Sequence, residues 1–187
     1  MMQMITGLLL WSLVHLMPSL SPGLRKKLIT SLGEKGYKIT FALLILVALG
    51  LIVLGWRTSL PTHIYELPES VGLIALLLMV LAFLLFGAAQ YPTRIKRFIR
   101  HPQLTAVVVW SIAHLLLNGD SRSVLLFGWL GIWALLEIML INRREGEWIK
   151  VVPPSWGREA RGVVISLIIF AVVIFVHPYL AGVPVSQ

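Results

Sequence analysis

Residues 100–120 read RHPQLTAVVVWSIAHLLLNGD, and this stretch shows how the whole chain is built. Basic residues come first, an apolar run follows, and Asn118-Gly119-Asp120 is a tight-turn signal. The pattern predicts a helix that enters a membrane from a basic loop and turns back at once into the next helix. His114 lies inside the apolar run. A membrane-embedded histidine is energetically costly unless something binds it, so His114 is a candidate functional residue.

The composition places the whole chain in a membrane. Of 187 residues, 58% are hydrophobic and 13% are charged, and the mean hydropathy is +0.88. A soluble domain carries about 25% charged residues. Lys and Arg outnumber Asp and Glu by 16 to 8, but the excess lies between apolar runs, so no nucleic-acid partner is predicted. The chain has no cysteine, which excludes thiolate ligands and disulfides.

Six apolar runs are near the length that a bilayer requires. They cover residues 4–20, 39–56, 71–91, 101–118, 124–141 and 163–181. We therefore predict an all-α, polytopic fold in which six transmembrane helices form a single domain over residues 1–187, surrounded by lipid. A loop of roughly twenty residues is expected between the fifth and sixth helices.

The basic residues predict the orientation of these helices. Fourteen of the sixteen Lys and Arg residues fall in the first, third and fifth loops, and only Arg57 and Arg122 fall on the other side. Cytoplasmic loops of membrane proteins are enriched in Lys and Arg. Both termini are therefore expected on the periplasmic side.

A short sequence is duplicated around two histidines. WSLVHL at 11–16 recurs as WSIAHL at 110–115, which places His15 and His114 in oppositely directed helices. An inverted repeat of three plus three helices would produce this arrangement. Each histidine also lies on a stripe of small polar side chains at helical spacing, which favours the bundle interior. The stripes are Ser12, His15, Ser19 and Ser111, His114, Asn118.

Other polar groups leave alternatives open. By depth, His101 is the rival partner of His15, and His177 is the rival partner of His114. His101 and His177 each precede a proline, so each is also typical of a helix boundary, and a hydrogen-bonded structural histidine is an alternative for every one of them. Glu137 is the one acid within a predicted helix, and its default interpretation is a structural ion pair with Arg143, Arg144 or a histidine on the cytoplasmic side.

Four segments together resemble the NnrU family of bacterial inner-membrane proteins, which is distantly similar to zeta-carotene cis-trans isomerase. They are His15 with the following PGLR at 22–25, the RIKRFIRHPQL segment at 94–104, the WSIAHLLLNGD segment at 110–120, and HPYLAGV at 177–183. The resemblance covers nearly the whole chain.

The resemblance implies a protein associated with nitrogen-oxide reduction in denitrifying bacteria, with reductase components as partners. Through the isomerase it also implies haem b held by His15 and His114. The isomerase has a cysteine three residues before its second histidine, where this chain has Ser111. A cysteine-dependent ligand exchange is therefore excluded, and no catalytic residue is assigned.

The sequence thus gives two principal hypotheses. In the first, His15 and His114 are neutral axial ligands of haem b, Arg97 or Arg100 contacts the propionates, and the role is redox or nitric-oxide linked. In the second, the chain is a small membrane enzyme, either an isomerase of isoprenoid type or a methyltransferase that uses the Arg-His-Pro segment at 100–102. No nucleophile elbow, phosphate-binding glycine loop or HExxH motif is present.

Overall fold

The computed structural model describes residues 1–182, and every regular element within them is helical. The helices are α1 (Met2–Leu20), α2 (Pro22–Thr58), α3 (Val71–Gln90), α4 (Pro102–Leu117), α5 (Ser121–Glu145) and α6 (Trp156–Ala181), with a 3-10 turn at Arg94–Arg97 before α4. This confirms the predicted all-α polytopic fold. The last residue of the HPYLAGV segment, Val183, lies outside the described residues.

Five of the six helices are long and apolar enough to cross a bilayer. The exception, α4, has 16 residues and so extends only about 24 Å. It begins at Pro102, since proline is preferred in the first helical turn, and it ends where the tight turn at 118–120 begins. Helix α4 nevertheless runs from one end of the bundle to the other, because its first residues meet the 142–146 segment and its last residues meet the 62–65 loop.

Nearly all basic residues lie at one end of the bundle, here called the basic end (residues 20–38, 91–101 and 142–161). Side-chain hydrogen bonds tie its segments together. Arg144 donates to the Ser19 hydroxyl at 2.9 Å, and the Arg94 amide donates to a Glu159 carboxylate oxygen at 2.5 Å. The Arg94 guanidinium also lies 4.0 Å from the ring centre of Trp156. The clustering agrees with the prediction that these loops share one side of the membrane.

At the opposite end, the long 59–70 loop folds over the α4–α5 turn. The backbone amides of Ile64 and Tyr65 both donate to the carbonyl of Gly119, at 2.8 and 3.0 Å, and the Tyr65 hydroxyl donates to the Leu115 carbonyl. Asp120 caps α5 by accepting from the Arg122 and Ser123 amides. Neighbouring spans four and five are thus antiparallel and joined by a very short turn, as the Asn-Gly-Asp signal predicts.

Close helix packing follows the order α2, α1, α5, α4, α3, α6. Small residues allow the backbones to approach. A Cβ on Gly7 would lie 2.7 Å from the Ala48 carbonyl, and one on Gly87 would lie 1.9 Å from the Ser166 hydroxyl. Such contacts are typical of membrane helices, where lipid supplies no hydrophobic drive for association. Since α1 and α4 each pack on α5, helix α5 separates the two helices that carry His15 and His114.

Two connections differ from the expected ones. The basic segment at 22–32 is helical instead of a loop, and it joins the membrane-spanning part of α2 through a break at Gly33 (φ 71, ψ 164). The connection between α5 and α6 covers only 146–155, because α5 continues to Glu145. Arg143 and Arg144 lie in the last turn of α5, where cations interact favourably with the helix dipole.

Candidate functional site

His15 lies in α1, enclosed by aromatic rings. Its Nδ1 atom is 2.9 Å from the carbonyl oxygen of Trp11, one turn earlier in the helix. The imidazole centre lies 4.4 Å from the Trp11 ring, 5.1 Å from the Trp133 ring of α5 and 5.5 Å from the Phe41 ring of α2. Three helices therefore fix the position and tilt of this imidazole.

His114 in α4 repeats the same local arrangement. Its Nδ1 atom is 2.9 Å from the carbonyl oxygen of Trp110, again one turn earlier, and the two rings are 4.6 Å apart. The ring of Phe127, from α5, stacks on the imidazole at 4.2 Å with an interplanar angle of 20°. The duplicated WSxxHL sequence thus gives two histidines with one anchoring geometry.

The anchoring determines which nitrogen of each histidine carries a hydrogen. A carbonyl oxygen only accepts hydrogen bonds, so Nδ1 is the donor in both His15 and His114. In a neutral imidazole the Nε2 atom then keeps its lone pair. No hydrogen bond to either Nε2 forms within residues 1–182. Histidine ligands of metals have this arrangement, in which one ring N–H is held by a carbonyl or carboxylate and the other nitrogen faces the metal.

The two imidazoles lie at different levels of α5. His15 contacts Trp133, and His114 contacts Phe127, six positions earlier on the same helix, which corresponds to about 9 Å along its axis. Helix α5 contacts α1 further through the Trp129 indole, which donates to the Ser12 hydroxyl at 2.9 Å. The structure therefore presents two separate donor positions and does not bring these histidines into a preformed pair.

A pocket of about 380 Å³ opens beside His15 at the basic end. Its walls come from α1, α2 and α5, and they are His15, Pro18, Arg25, Tyr37, Lys38, Phe41, Glu137 and Arg144. The side chains combine an imidazole at the inner end with three cations and aromatic rings. This volume falls within the range of about 300–1,000 Å³ that is typical of small-molecule sites.

Glu137 is the only carboxylate in that pocket. It is 7% exposed, and its Oε2 atom has no hydrogen-bond partner within residues 1–182. Arg144 lies two helical turns later and lines the same pocket, but no ion pair within 4.0 Å joins it to Glu137 among the described residues. The expected ion pair with Arg143 or Arg144 is therefore not formed within residues 1–182.

Arg100 and His101 belong to a second cavity, also of about 380 Å³, at the basic end of α4. His101 Nε2 lies 3.0 Å from the Asn142 side-chain oxygen, and Arg100 donates to the Gly146 carbonyl at 2.8 Å and pairs with Glu145 at 3.6 Å. Arg97 is exposed. The structure thus places Arg100 beside His101, away from the pocket of His15, and the role of Arg97 and Arg100 at a cofactor stays a prediction.

The other two histidines occupy different settings. His177 in α6 has a buried Nδ1 atom without a partner within residues 1–182, and its predicted match in depth to His114 stays a prediction. His63 is exposed in the 59–70 loop, where it pairs with Asp120 as an isolated bridge. Of the five histidines, only His63 is exposed.

The donor set bears on which group could bind. Within residues 1–182, no three His, Asp or Glu side chains come together as they do around a bare metal ion. Haem iron needs only one or two axial ligands from the protein. The indole nitrogens of Trp11 and Trp133, beside His15, are also buried without partners among the described residues. The chemistry of the site therefore fits haem at the level of donors, aromatic walls and cations.

Several residues of the site were absent from the sequence prediction. Trp133 and Phe127 cover the two imidazoles, and Arg25, Lys38 and Arg144 surround the pocket. The predicted membrane depth of the three cations could have suggested them, since all three flank the membrane at the end of α1 that carries His15. The aromatic covers depend on how α5 is rotated, and hydropathy does not reveal that rotation.

The fold and site define a polytopic helical membrane protein whose interior holds two carbonyl-anchored histidines on either side of a central helix. The sequence pattern described as NnrU protein matches residues 3–185, nearly the whole chain. The chain therefore belongs to the NnrU family. Comparison with curated proteins and with solved structures gives no significant match.

Proposed function

We propose that this NnrU-family protein binds haem b in the bacterial inner membrane and serves a redox or nitric-oxide-linked step that supports nitrogen-oxide reduction. The observation that carries the proposal is the matched geometry of His15 and His114. Each imidazole donates through Nδ1 to the carbonyl four residues earlier, which leaves Nε2 available as an iron ligand.

The pocket beside His15 adds a second argument. Haem b is a flat apolar ring with two propionate groups at one edge. In this pocket His15 and Phe41 lie further from the basic end along their helices, and Arg25, Lys38 and Arg144 lie closer to it. Guanidinium and ammonium groups form strong charge-assisted hydrogen bonds with carboxylates. These residues would hold the propionates, and His15 would ligate the iron.

His114 is proposed as the ligand of a separate haem-iron position, because α5 stands between it and His15 and the two imidazoles do not form a pair. Its imidazole is fixed from one side by the stacked Phe127 ring and from below by the Trp110 carbonyl. When bound, haem b supplies an iron that cycles between two oxidation states and binds diatomic gases. The protein's contribution is to orient the imidazoles, to exclude water by aromatic packing and to compensate the propionate charge.

The proposed orientation follows from charge. The basic end collects fourteen of the sixteen Lys and Arg residues, and such loops face the cytoplasm. We therefore place the pocket of His15 on the cytoplasmic side and both termini in the periplasm, where reductase components would be partners.

The test is the absorption spectrum of the full chain purified in detergent after haem-replete expression. The proposal predicts a Soret band that shifts on reduction with dithionite and again on addition of nitric oxide. A colourless protein that also fails to take up added haemin would refute it. Haemin uptake with unchanged spectra on nitric oxide would retain haem binding and exclude the gas-linked role.

A second candidate function rests on the cavity at Arg100 and His101. This cavity lies at the basic end, and Asn142 and Trp148 complete its lining, so it offers hydrogen-bonding and stacking groups to a polar cofactor. A methyltransferase would bind adenosylmethionine there. Calorimetry of the purified chain with adenosylmethionine discriminates the two, because heat of binding that a His101→Ala variant loses would favour the enzyme.

A further inference from the structure

The helical segment at 22–32 has a composition unlike that of the rest of the bundle. It begins at Pro22, directly after α1, and it is separated from the spanning part of α2 by Gly33. At φ 71 and ψ 164, the Gly33 backbone lies in a region that is open essentially to glycine alone. The segment is therefore a short helix of its own at the basic end.

This helix, here called the basic-end helix (residues 22–32), is amphipathic. Leu24, Leu28 and Leu32 recur every fourth residue and so form one apolar stripe. Leu24 and Leu32 are 45% and 47% exposed, so nothing within residues 1–182 covers this stripe fully. Lys26 and Lys27 are exposed on the remaining arc of the helix.

We propose that the basic-end helix lies in the membrane interface and binds anionic phospholipid headgroups. An apolar stripe beside exposed lysines is the pattern of helices that rest in the plane of an interface, where leucines enter the acyl region and lysines meet phosphates. The position of the helix supports this occupant, because it directly follows the last residues of a membrane-spanning helix. The Gly33 break lets the helix leave the direction of α2 and follow the membrane surface.

Charge selects the anionic lipid over a zwitterionic one. No carboxylate lies in residues 22–32, and the nearest acid along the sequence, Glu34, pairs with Lys38 at 3.8 Å. The lysines of the basic-end helix therefore keep their charge uncompensated within the described chain. Each such residue near an anionic surface strengthens binding by roughly fivefold. The inference does not depend on haem binding.

Hydrogen exchange of the full chain in lipid nanodiscs tests it. We expect the backbone amides of residues 22–32 to exchange at least about tenfold more slowly in phosphatidylcholine with phosphatidylglycerol than in phosphatidylcholine alone. The double variant Lys26→Gln, Lys27→Gln should lose most of that difference. Arg57→Gln is the matched control, since Arg57 is exposed at the far end of the spanning part of α2 and should leave the difference unchanged.

Two results would overturn the proposal. Equal exchange in the two lipid mixtures would show that anionic headgroups are not the occupant. Slow exchange in detergent without phospholipid would show that the helix is covered by the protein itself. The exchange of α3, measured in the same samples, reports whether each variant is folded.

Discussion

The imidazole of His15 is held by the carbonyl oxygen of Trp11, 2.9 Å from Nδ1 and one helical turn earlier. The same relationship, at the same distance, joins His114 to Trp110. A histidine that donates through Nδ1 within its own helix keeps a lone pair on Nε2, which is the atom that ligates a metal in such an arrangement. The haem proposal rests on two histidines with this shared geometry.

The proposal assigns the propionate contacts to cations of the His15 pocket and not to the 94–100 segment, and these two assignments can be compared. The double variant Arg25→Gln, Lys38→Gln should release haem at least about tenfold faster than the wild type, because even a single hydrogen bond to a charged group contributes about 1.5–3 kcal/mol. The matched control is Arg97→Gln, since Arg97 lies exposed outside the pocket. Haem transfer to apomyoglobin measures the rate. If Arg97→Gln released haem faster and the pocket double variant did not, the propionates would contact the 94–100 segment instead of the pocket cations.

The turn at Gly119 should not tolerate a side chain. A Cβ at this position would lie 1.8 Å from the Tyr65 carbonyl oxygen, which is backbone and cannot move aside without breaking the 59–70 loop contacts. We expect Gly119→Ala to lower the free energy of unfolding by about 1–3 kcal/mol. Gly128→Ala is the control, because nothing lies within 4 Å of its added Cβ. Thermal unfolding in detergent compares them, and equal midpoints would contradict the clamped loop.

Tyr65 should make the stability of that loop sensitive to high pH. Burial, with a smaller effect of the Asp120 carboxylate, raises the pKa of Tyr65 above its usual value of 10.0. A raised pKa in the folded state means that this contribution is complete below pH 10 and is lost as pH rises through the folded pKa. Tyr65→Phe should therefore be less stable by about 1 kcal/mol near neutral pH, and the gap should close above pH 10.

Unfolding midpoints measured across this pH range test the Tyr65 prediction. Tyr179→Phe serves as the control, since Tyr179 is 78% exposed on α6. A gap between wild type and Tyr65→Phe that stays constant from neutral to alkaline pH would show that the hydroxyl does not act through its protonated form.

One of the side-chain hydrogen bonds between α1 and α5 lies within the membrane-spanning part of the bundle. The Trp129 indole donates to the Ser12 hydroxyl at 2.9 Å in a part-buried setting. Ser12→Ala should cost about 1 kcal/mol, since the indole N–H loses its acceptor. Ser31→Ala, at an exposed position, should change stability by less than about 0.5 kcal/mol. Equal effects in chemical unfolding would show that the bond is not made in the folded protein.

The spanning helices were predictable because hydropathy and basic loops record the bilayer directly. Helix α4 illustrates this, since Pro102 and the 118–120 turn define its two ends in both the sequence and the structure. The repeated WSxxHL sequence likewise predicted two comparable histidines. The basic-end helix was not predicted, because its eleven residues include three consecutive cations and are too few for an apolar run of membrane length.

The surroundings of the two histidines were beyond prediction for a physical reason. Which residues of α5 meet α1 and α4 depends on the rotation of α5, which is set by close contacts such as that between Gly131 and Ser111, where an added Cβ would lie 3.2 Å away. Depth arguments predict that His177 lies at the level of His114, but they cannot show that α5 separates His114 from His15. The positions of Trp133 and Phe127 follow only from the packed bundle.

The most direct test of the account is the haem content of histidine variants. Purified wild type, His15→Ala, His114→Ala, the double variant and the exposed-site control His63→Ala are compared by Soret absorbance per protein. We expect His15→Ala and His114→Ala each to lower or shift the Soret band. The double variant should have no Soret band, and His63→Ala should match the wild type. An unchanged Soret band in the folded double variant would contradict the assignment of His15 and His114 as the ligands.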